Sequence, residues 1–262
     1  MHILQTIVLG VVEGITEFLP VSSTFHLIWT SRLLGLPSSD FVNLFTVFIQ
    51  AGAILAVIAL FAKEVLTNRT LFLKLIVSFI PTAGVAFVLY DIIKSVFFEQ
   101  ILFTTIVFIL VGGIFLLVEH LITKKLLTPT LDIENLSWKH AILIGFFQAL
   151  AIVPGVSRAG AVLVGMMFLG YKRSESAKYS FMLYVPTILA ASVFDAIEMR
   201  DVIFASTDLA WLLAVGFITA LVSALFCVSW LIKYLQSHSL AIFGWYRILL
   251  GILLLLFLIL SP

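Results

Sequence analysis

GVVEGITEFLPVSSTFHLI, residues 10–28, decides how the rest of the chain is read. It lies in sequence apolar enough for a membrane, yet it carries Glu13, Glu17, Ser22, Ser23 and His26. Glu13 and Glu17 are four residues apart and share one helix face. Pro20 then removes a backbone donor and ends that helix. Ser22 or Ser23 can cap a new helix, with Ser22 the favoured cap. Ser23 and His26, three apart, share a face of this second helix. The stretch predicts a broken helix that gathers two carboxylates, hydroxyls and an imidazole around one polar spot. An ionisable side chain at membrane depth costs roughly 2.5–3.5 kcal/mol even on lenient insertion scales, so each of these residues is a functional candidate.

The surrounding chain has the composition of a membrane protein. Of its 262 residues 62% are hydrophobic and 11% charged, and the mean hydropathy is +1.21. A soluble domain carries about 25% charged residues. Continuous runs such as LLAVGFITALVSALFCVSWLI (212–232) lack the alternation of barrel strands. These features predict an all-α integral membrane protein, a single membrane domain over 1–262. The net charge of +1 provides no basic field for nucleic acid. Cys227, the one cysteine, lies within an apolar run and reads as a packing residue without an intramolecular disulfide. No basic segment with a small-residue cleavage site opens the chain, so a cleaved signal peptide is not expected.

Two halves share one layout. A broken pair over 2–19 and 21–36 precedes apolar spans at 41–62, about 72–90 and 101–122. TKKLLTPTLDIENLSWKH (123–140) reads as a cytoplasmic linker. A second broken pair, 141–152 and 157–170, precedes spans at 177–197, 209–232 and 241–260. GVVEGITEFLPVSS (10–23) aligns with GFFQALAIVPGVS (145–157) if one residue is gapped between glycine and proline. An odd number of spans per half places the repeats, 1–122 and 141–262, in opposite orientations. With the 63–74 loop cytoplasmic, ten cations lie inside: Lys63, Arg69, Lys74, Lys124, Lys125, Lys139, Lys172, Arg173, Lys178 and Lys233. Only Lys94 and Arg200 lie in outer loops, which satisfies the positive-inside rule. The expectation is an inverted-topology repeat, each half a re-entrant helix pair plus three transmembrane helices. In such repeats the tips, here Pro20–Ser23 and Pro154–Arg158, form a polar site near the midplane.

Glu13 and Glu17 are suited to a hard divalent cation such as magnesium or calcium, or one of them to service as a base. The alternative is a polar pair that holds helices together. Ser23, His26 and a carboxylate make a workable nucleophile–base set, against a capping serine and a buried histidine. In PGVSRAG (154–160) the break at Pro154–Gly155 leads to Ser157 and Arg158 at a helix start. Free N–H groups there favour an anion, and arginine adds a fork matched to phosphate. Ser22, Gly155, Ser157 and Arg158 are therefore candidate substrate contacts, with pairing to Glu13 or Glu17 as the alternative role for Arg158. Arg247 in GWYRILLG (244–251) reads as structural, bonded to carbonyls or a carboxylate. Gln50 and Gln148 either line the site or bond helices together. Trp29, Trp138, Trp211 and Tyr90 fit an interfacial belt.

EGITEFLPVSSTFHL (13–27) and PGVSRAG resemble the two signature motifs of bacterial undecaprenyl-pyrophosphate phosphatase, the bacitracin-resistance (BacA/UppP) family. The likeness continues in FVNLFTVFIQAGAILAV (41–57), IPTAG (80–84), YSFMLYVPTILAAS (179–192) and YRILLG (246–251). It implies a magnesium- or calcium-dependent hydrolase of the bacterial cytoplasmic (inner) membrane. The reaction implied removes the terminal phosphate of undecaprenyl pyrophosphate, regenerating the monophosphate carrier used in peptidoglycan synthesis. The family's acidic pair falls on Glu13 and Glu17, its serine on Ser23, its histidine on His26, and its phosphate-binding Ser-Arg on Ser157 and Arg158. Ala159 and Val162 replace hydroxyl residues of the family pattern, Phe25 replaces a glycine, and Thr46 stands where a glutamate is common. The implied partners are the polyprenyl pyrophosphate lipid, the bilayer and, as an admissible one, a second copy of the chain. The rival readings are a polyprenyl-phosphate transporter or flippase, and a homologue that binds the lipid without turnover.

Overall fold

The computed structural model describes residues 1–37, 39–96, 101–198 and 207–260. It is helical throughout, in the order α1 (Ile3–Thr16), α2 (Ser23–Leu33), α3 (Asp40–Thr67), α4 (Arg69–Val96), α5 (Ile101–Thr123), α6 (Trp138–Ala149), α7 (Arg158–Phe168), α8 (Arg173–Glu198), α9 (Thr207–Ser237) and α10 (Ala241–Leu260). Five stretches among the described residues are long and apolar enough to cross a membrane: Phe41–Thr67, Arg69–Leu89, Ile101–Thr123, Ala210–Ser237 and Ala241–Leu260. The molecule is an all-α membrane protein. The span expected over 177–197 lies in α8, part of whose side chains fall outside the described residues. The side chains of Tyr90 and Lys94, and all of Arg200, also lie outside them.

The two broken pairs are built from short helices. At about 1.5 Å per residue, the 14 residues of α1 reach about 21 Å, short of a bilayer core of about 30 Å. Helix α1 ends at Thr16, earlier than the apolar pattern to residue 19 indicates, and the EFLP segment turns before α2 begins. Each leading short helix is pressed against a long helix of the other half. A Cβ on Gly10 of α1 would sit 2.8 Å from the carbonyl oxygen of Gly216 in α9, so the backbones meet with nothing between them. Gly145 of α6 meets Ser78 and Pro81 of α4 in the same way. There Ser78 Oγ donates to the Ala141 carbonyl at 2.7 Å and Thr82 Oγ1 to the Gly145 carbonyl at 2.8 Å. Gln148 of α6 adds bonds from its amide to Thr82 at 2.9 Å and Thr187 at 3.1 Å, tying α4, α6 and α8. Cys227 is buried, its Sγ 3.1 Å from the Ile15 carbonyl.

The second helices of the two pairs, α2 and α7, match each other in backbone detail. Helices α2 and α7 both have 11 residues. Each starts after a serine of positive φ, Ser22 (65°) and Ser157 (75°), and is followed by a glycine of positive φ, Gly35 (66°) and Gly170 (93°). One shift of 135 residues (157 − 22, and equally 170 − 35) superposes both pairs. The same shift carries Gly10 to Gly145 and Glu13 to Gln148. No gap is required: Pro20 corresponds to Gly155 rather than to Pro154. Sequence alignment favours matching the two prolines, whereas the backbone matches the residues that must turn.

Polar contacts at one end of the bundle draw together most of the loops that hold the cations. Glu119 at the end of α5 receives Arg173 through Nε at 2.8 Å and Nη2 at 2.5 Å, and the Leu240 N–H at 2.8 Å. Lys178 meets Glu64 at 2.7 Å, joining α8 to α3. The 123–140 segment is an ordered strap rather than a free linker. Leu131 pairs with Tyr171, the N–H groups of Thr130 and Leu131 donate to the Gly170 carbonyl at 2.8 and 2.9 Å, and Lys172 N–H returns to the Leu131 carbonyl at 3.0 Å. Buried Ile133 and Leu136 secure it against α4, α6 and α8. Trp29 departs from the belt expectation: it is 4% exposed and packs with Phe25 and Phe108. Enclosure of α2 by α5 and α10 accounts for this, whereas Trp138 and Trp211 are exposed.

Candidate active site

Glu17 is the centre of the polar cluster. It follows the last turn of α1, its N–H bonded to the Glu13 carbonyl at 2.9 Å, and its side chain has no exposure. Oε1 accepts from Arg158 Nη2 at 3.1 Å, and Oε2 accepts from the Ser23 hydroxyl. One buried carboxylate thus joins residues from the beginnings of α2 and α7. Arg158 also lies over the ring of Tyr184, 4.3 Å from its centroid, and Tyr184 packs edge-on to Phe18. This aromatic floor holds the guanidinium in place without competing for its donors. A small pocket opens beside the pair, lined by Glu17, Ser22, Ser23, Thr24, Ser157 and Arg158 together with Ala151, Val153, Pro154 and Gly155.

Ser157 caps α7, accepting from the Gly160 N–H at 3.2 Å. Ser22 stands at the corresponding position of α2 but makes no capping bond; it contributes to the pocket wall instead. Positive φ at a serine costs on the order of 1–3 kcal/mol and persists where surroundings impose it. Arg247 of α10 supplies much of that constraint. Fully buried, it donates from Nε to the Phe108 carbonyl at 3.1 Å, from Nη1 to the Pro20 carbonyl at 2.9 Å, and from Nη2 to the carbonyls of Gly155 and Val156. A single guanidinium therefore fastens both turns to α5. Gly155 has φ 95°, and a Cβ there would run into the Thr104 carbonyl at 2.6 Å.

The remaining candidates are placed differently. Glu13 is fully buried, and neither of its carboxylate oxygens has a hydrogen-bond partner among the described residues. Among the described residues no three or more His, Cys, Asp or Glu side chains converge on a common point. His26 is not brought to Ser23. Its Nδ1 lies 2.8 Å from the Ser22 carbonyl and its Nε2 2.8 Å from the hydroxyl of Tyr246 on α10. Thr24 in the pocket wall and Tyr246 on His26 were absent from the sequence-based candidates. Thr24 had a signal, since it follows two serines at a helix start; Tyr246 had none. Ala159 and Val162 are buried, 3% and 1% exposed, and lie outside the pocket lining.

One buried carboxylate, from the end of α1, meets a hydroxyl and a guanidinium where α2 and α7 begin, which gives this all-α membrane protein a site suited to an anionic group. The chain belongs to the family of the bacitracin resistance protein BacA, whose family model matches residues 6–253. A protein named undecaprenyl-diphosphatase from Aquifex aeolicus is 41% identical over 249 residues, 95% of either chain. One of the same name from a Sulfurihydrogenibium species is 45% identical over 254 residues, 97% of this chain and 98% of that one. A third, from Wolinella succinogenes, is 41% identical over 258 residues, 98% of this chain and 99% of its own.

Proposed function

We propose that this protein hydrolyses undecaprenyl pyrophosphate to undecaprenyl phosphate and inorganic phosphate. Support comes from the named relatives, which match along almost the whole chain, and from one geometric observation. The Ser23 hydroxyl and the Arg158 guanidinium sit on the two oxygens of the same buried carboxylate. Phosphoryl transfer asks a protein chiefly for positioning and for neutralisation of charge. Arg158, with the N–H groups opening α2 and α7, meets the charge of the terminal phosphate. Because Ser23 already donates to Glu17, Glu17 is the group placed to take its proton. Ser23 Oγ then bonds to the terminal phosphorus as the bond to the bridging oxygen breaks, and undecaprenyl phosphate leaves with the proton that Glu17 passes to it. In a second step the freed Glu17 carboxylate deprotonates a water that attacks the same phosphorus; the bond to Ser23 Oγ breaks, Oγ takes the proton back from Glu17, and phosphate leaves. Arg158 and Glu17 both line the pocket, so the entering diphosphate competes with Glu17 for the guanidinium.

Magnesium or calcium fits the chemistry of this site: Glu13 offers two unpartnered oxygens, and Glu17 lies next to it on the same helix face. Glu13 and Glu17 would hold the ion, which when bound supplies positive charge to the diphosphate. We also read the protein as resident in the bacterial cytoplasmic membrane, its halves inverted about the site. The matched turns of α2 and α7 and the gathering of cation-bearing loops at one end support that arrangement.

The deciding measurement is phosphate release from undecaprenyl pyrophosphate by the purified protein in lipid. Release is expected from the native chain, together with a phosphoserine trapped at position 23 after rapid acid quench. Lipid binding without release would overturn the hydrolase reading in favour of a carrier. Full activity in Ser23→Ala would remove the covalent step.

A further inference from the structure

The two serine turns match in backbone but are held differently. Ser157 is secured by its own side chain, through the bond from the Gly160 N–H at 3.2 Å. Ser22 has no such bond, and the nearest imidazole takes over: His26 Nδ1 lies 2.8 Å from the Ser22 carbonyl. A carbonyl only accepts, so Nδ1 carries the hydrogen. In the neutral ring Nε2 is then an acceptor, and the Tyr246 hydroxyl at 2.8 Å donates to it. The two rings are nearly parallel, 7° apart, with centroids separated by 5.7 Å. His26 does not line the pocket that contains Glu17, Ser23 and Arg158. It reaches that pocket through the backbone of Ser22, the residue next to Ser23, whose carbonyl also accepts from the His26 N–H at 3.3 Å.

We propose that Tyr246 is a positioning residue for the reaction: it locks His26 in the Nδ1–H tautomer, His26 pins the Ser22 carbonyl, and the turn so held aims Ser23 at Glu17. This rests on the reading of Ser23 as the nucleophile. Tyr246 is 42% exposed, so Tyr246→Phe removes the hydroxyl without opening a core cavity. It contrasts with its neighbour Arg247, which holds the carbonyls of the turns directly.

Two measurements on the full-length protein in lipid nanodiscs test the proposal. The first is nitrogen NMR of chain labelled in its histidine rings, with His26 assigned by its loss in His26→Ala. The native protein should show the Nδ1–H tautomer for His26, and Tyr246→Phe should shift its Nε2 resonance and admit the other tautomer. The second is steady-state phosphate release. Tyr246→Phe should lower kcat on the order of threefold to tenfold, the effect of one net hydrogen bond, with KM unchanged. In a His26→Ala background the same substitution should change nothing further. An unchanged His26 spectrum, an unchanged kcat, or effects of the two substitutions that multiply would each overturn it. If the native protein releases no phosphate, the hydrolase reading fails, and the spectrum alone then decides whether Tyr246 sets the His26 tautomer.

Discussion

Glu17 differs from Glu13 in what its oxygens touch. Both oxygens of Glu17 have donors, whereas Glu13 is sealed in the interior with neither oxygen bonded among the described residues. The two carboxylates should consequently fail in different ways. In the proposed mechanism Glu17→Ala removes both the base and the partner of Arg158, and Arg158→Ala removes the phosphate clamp. Each should lower kcat/KM by about 10²–10³, within the usual loss for a general base in the case of Glu17 and for a donor aimed at developing charge in the case of Arg158; steady-state phosphate release checks it. Glu13→Gln retains the shape and removes the charge. Its expected signature is loss of any response to added magnesium or calcium, read by titrating metal into chelator-treated protein. A metal response identical to the native one would eliminate Glu13 as a ligand.

Among the helices, α10 contributes through Arg247 more than its apolar sequence suggests. It reaches the turn before α2, the turn before α7 and the middle of α5 at once. Arg247→Ala leaves the buried carbonyls of Pro20 and Gly155 without this donor, at about 1–3 kcal/mol apiece. A large drop in the detergent unfolding temperature is expected, along with loss of phosphate release. Arg247→Lys, charged but unable to fork, should fall between the two. Equal unfolding temperatures for native and alanine forms would refute the role of Arg247 as fastener. Gly155→Ala meets two obstacles, the left-handed backbone and the Thr104 carbonyl, and should unfold earlier than the native chain.

At the scale of the whole molecule the two ends are chemically unlike. The end gathered by Glu119, Arg173, Lys178 and the 123–140 strap contains the positive loops, and the positive-inside rule predicts that it faces the cytoplasm. The chain has one cysteine, so single-cysteine labelling in a Cys227→Ser background can test the orientation. Ser39→Cys, before α3, should react with an impermeant thiol reagent in intact cells. Lys125→Cys should react only after the membrane is opened. Labelling of both from the same side would contradict the assigned topology.

Hydropathy and a few misplaced polar residues by themselves determined the membrane class, most of the long helices and the two broken pairs, and they named Glu17, Ser23, His26 and Arg158 as candidates without showing which of them touch. Burial of apolar runs and breaks at proline and glycine are local effects, readable wherever they occur. The partners of the tips were decided only in three dimensions. Arg247 meets Pro20 from 227 positions away, and Tyr246 meets His26 from 220. Helical spacing put His26 on the side of Ser23, yet residues three apart still diverge by about 60° around the axis. The first-turn imidazole uses that angle to reach back to the Ser22 carbonyl. Spacing along a chain limits which groups can share a face; which of them touch depends on the hydrogen bonds that distant helices bring.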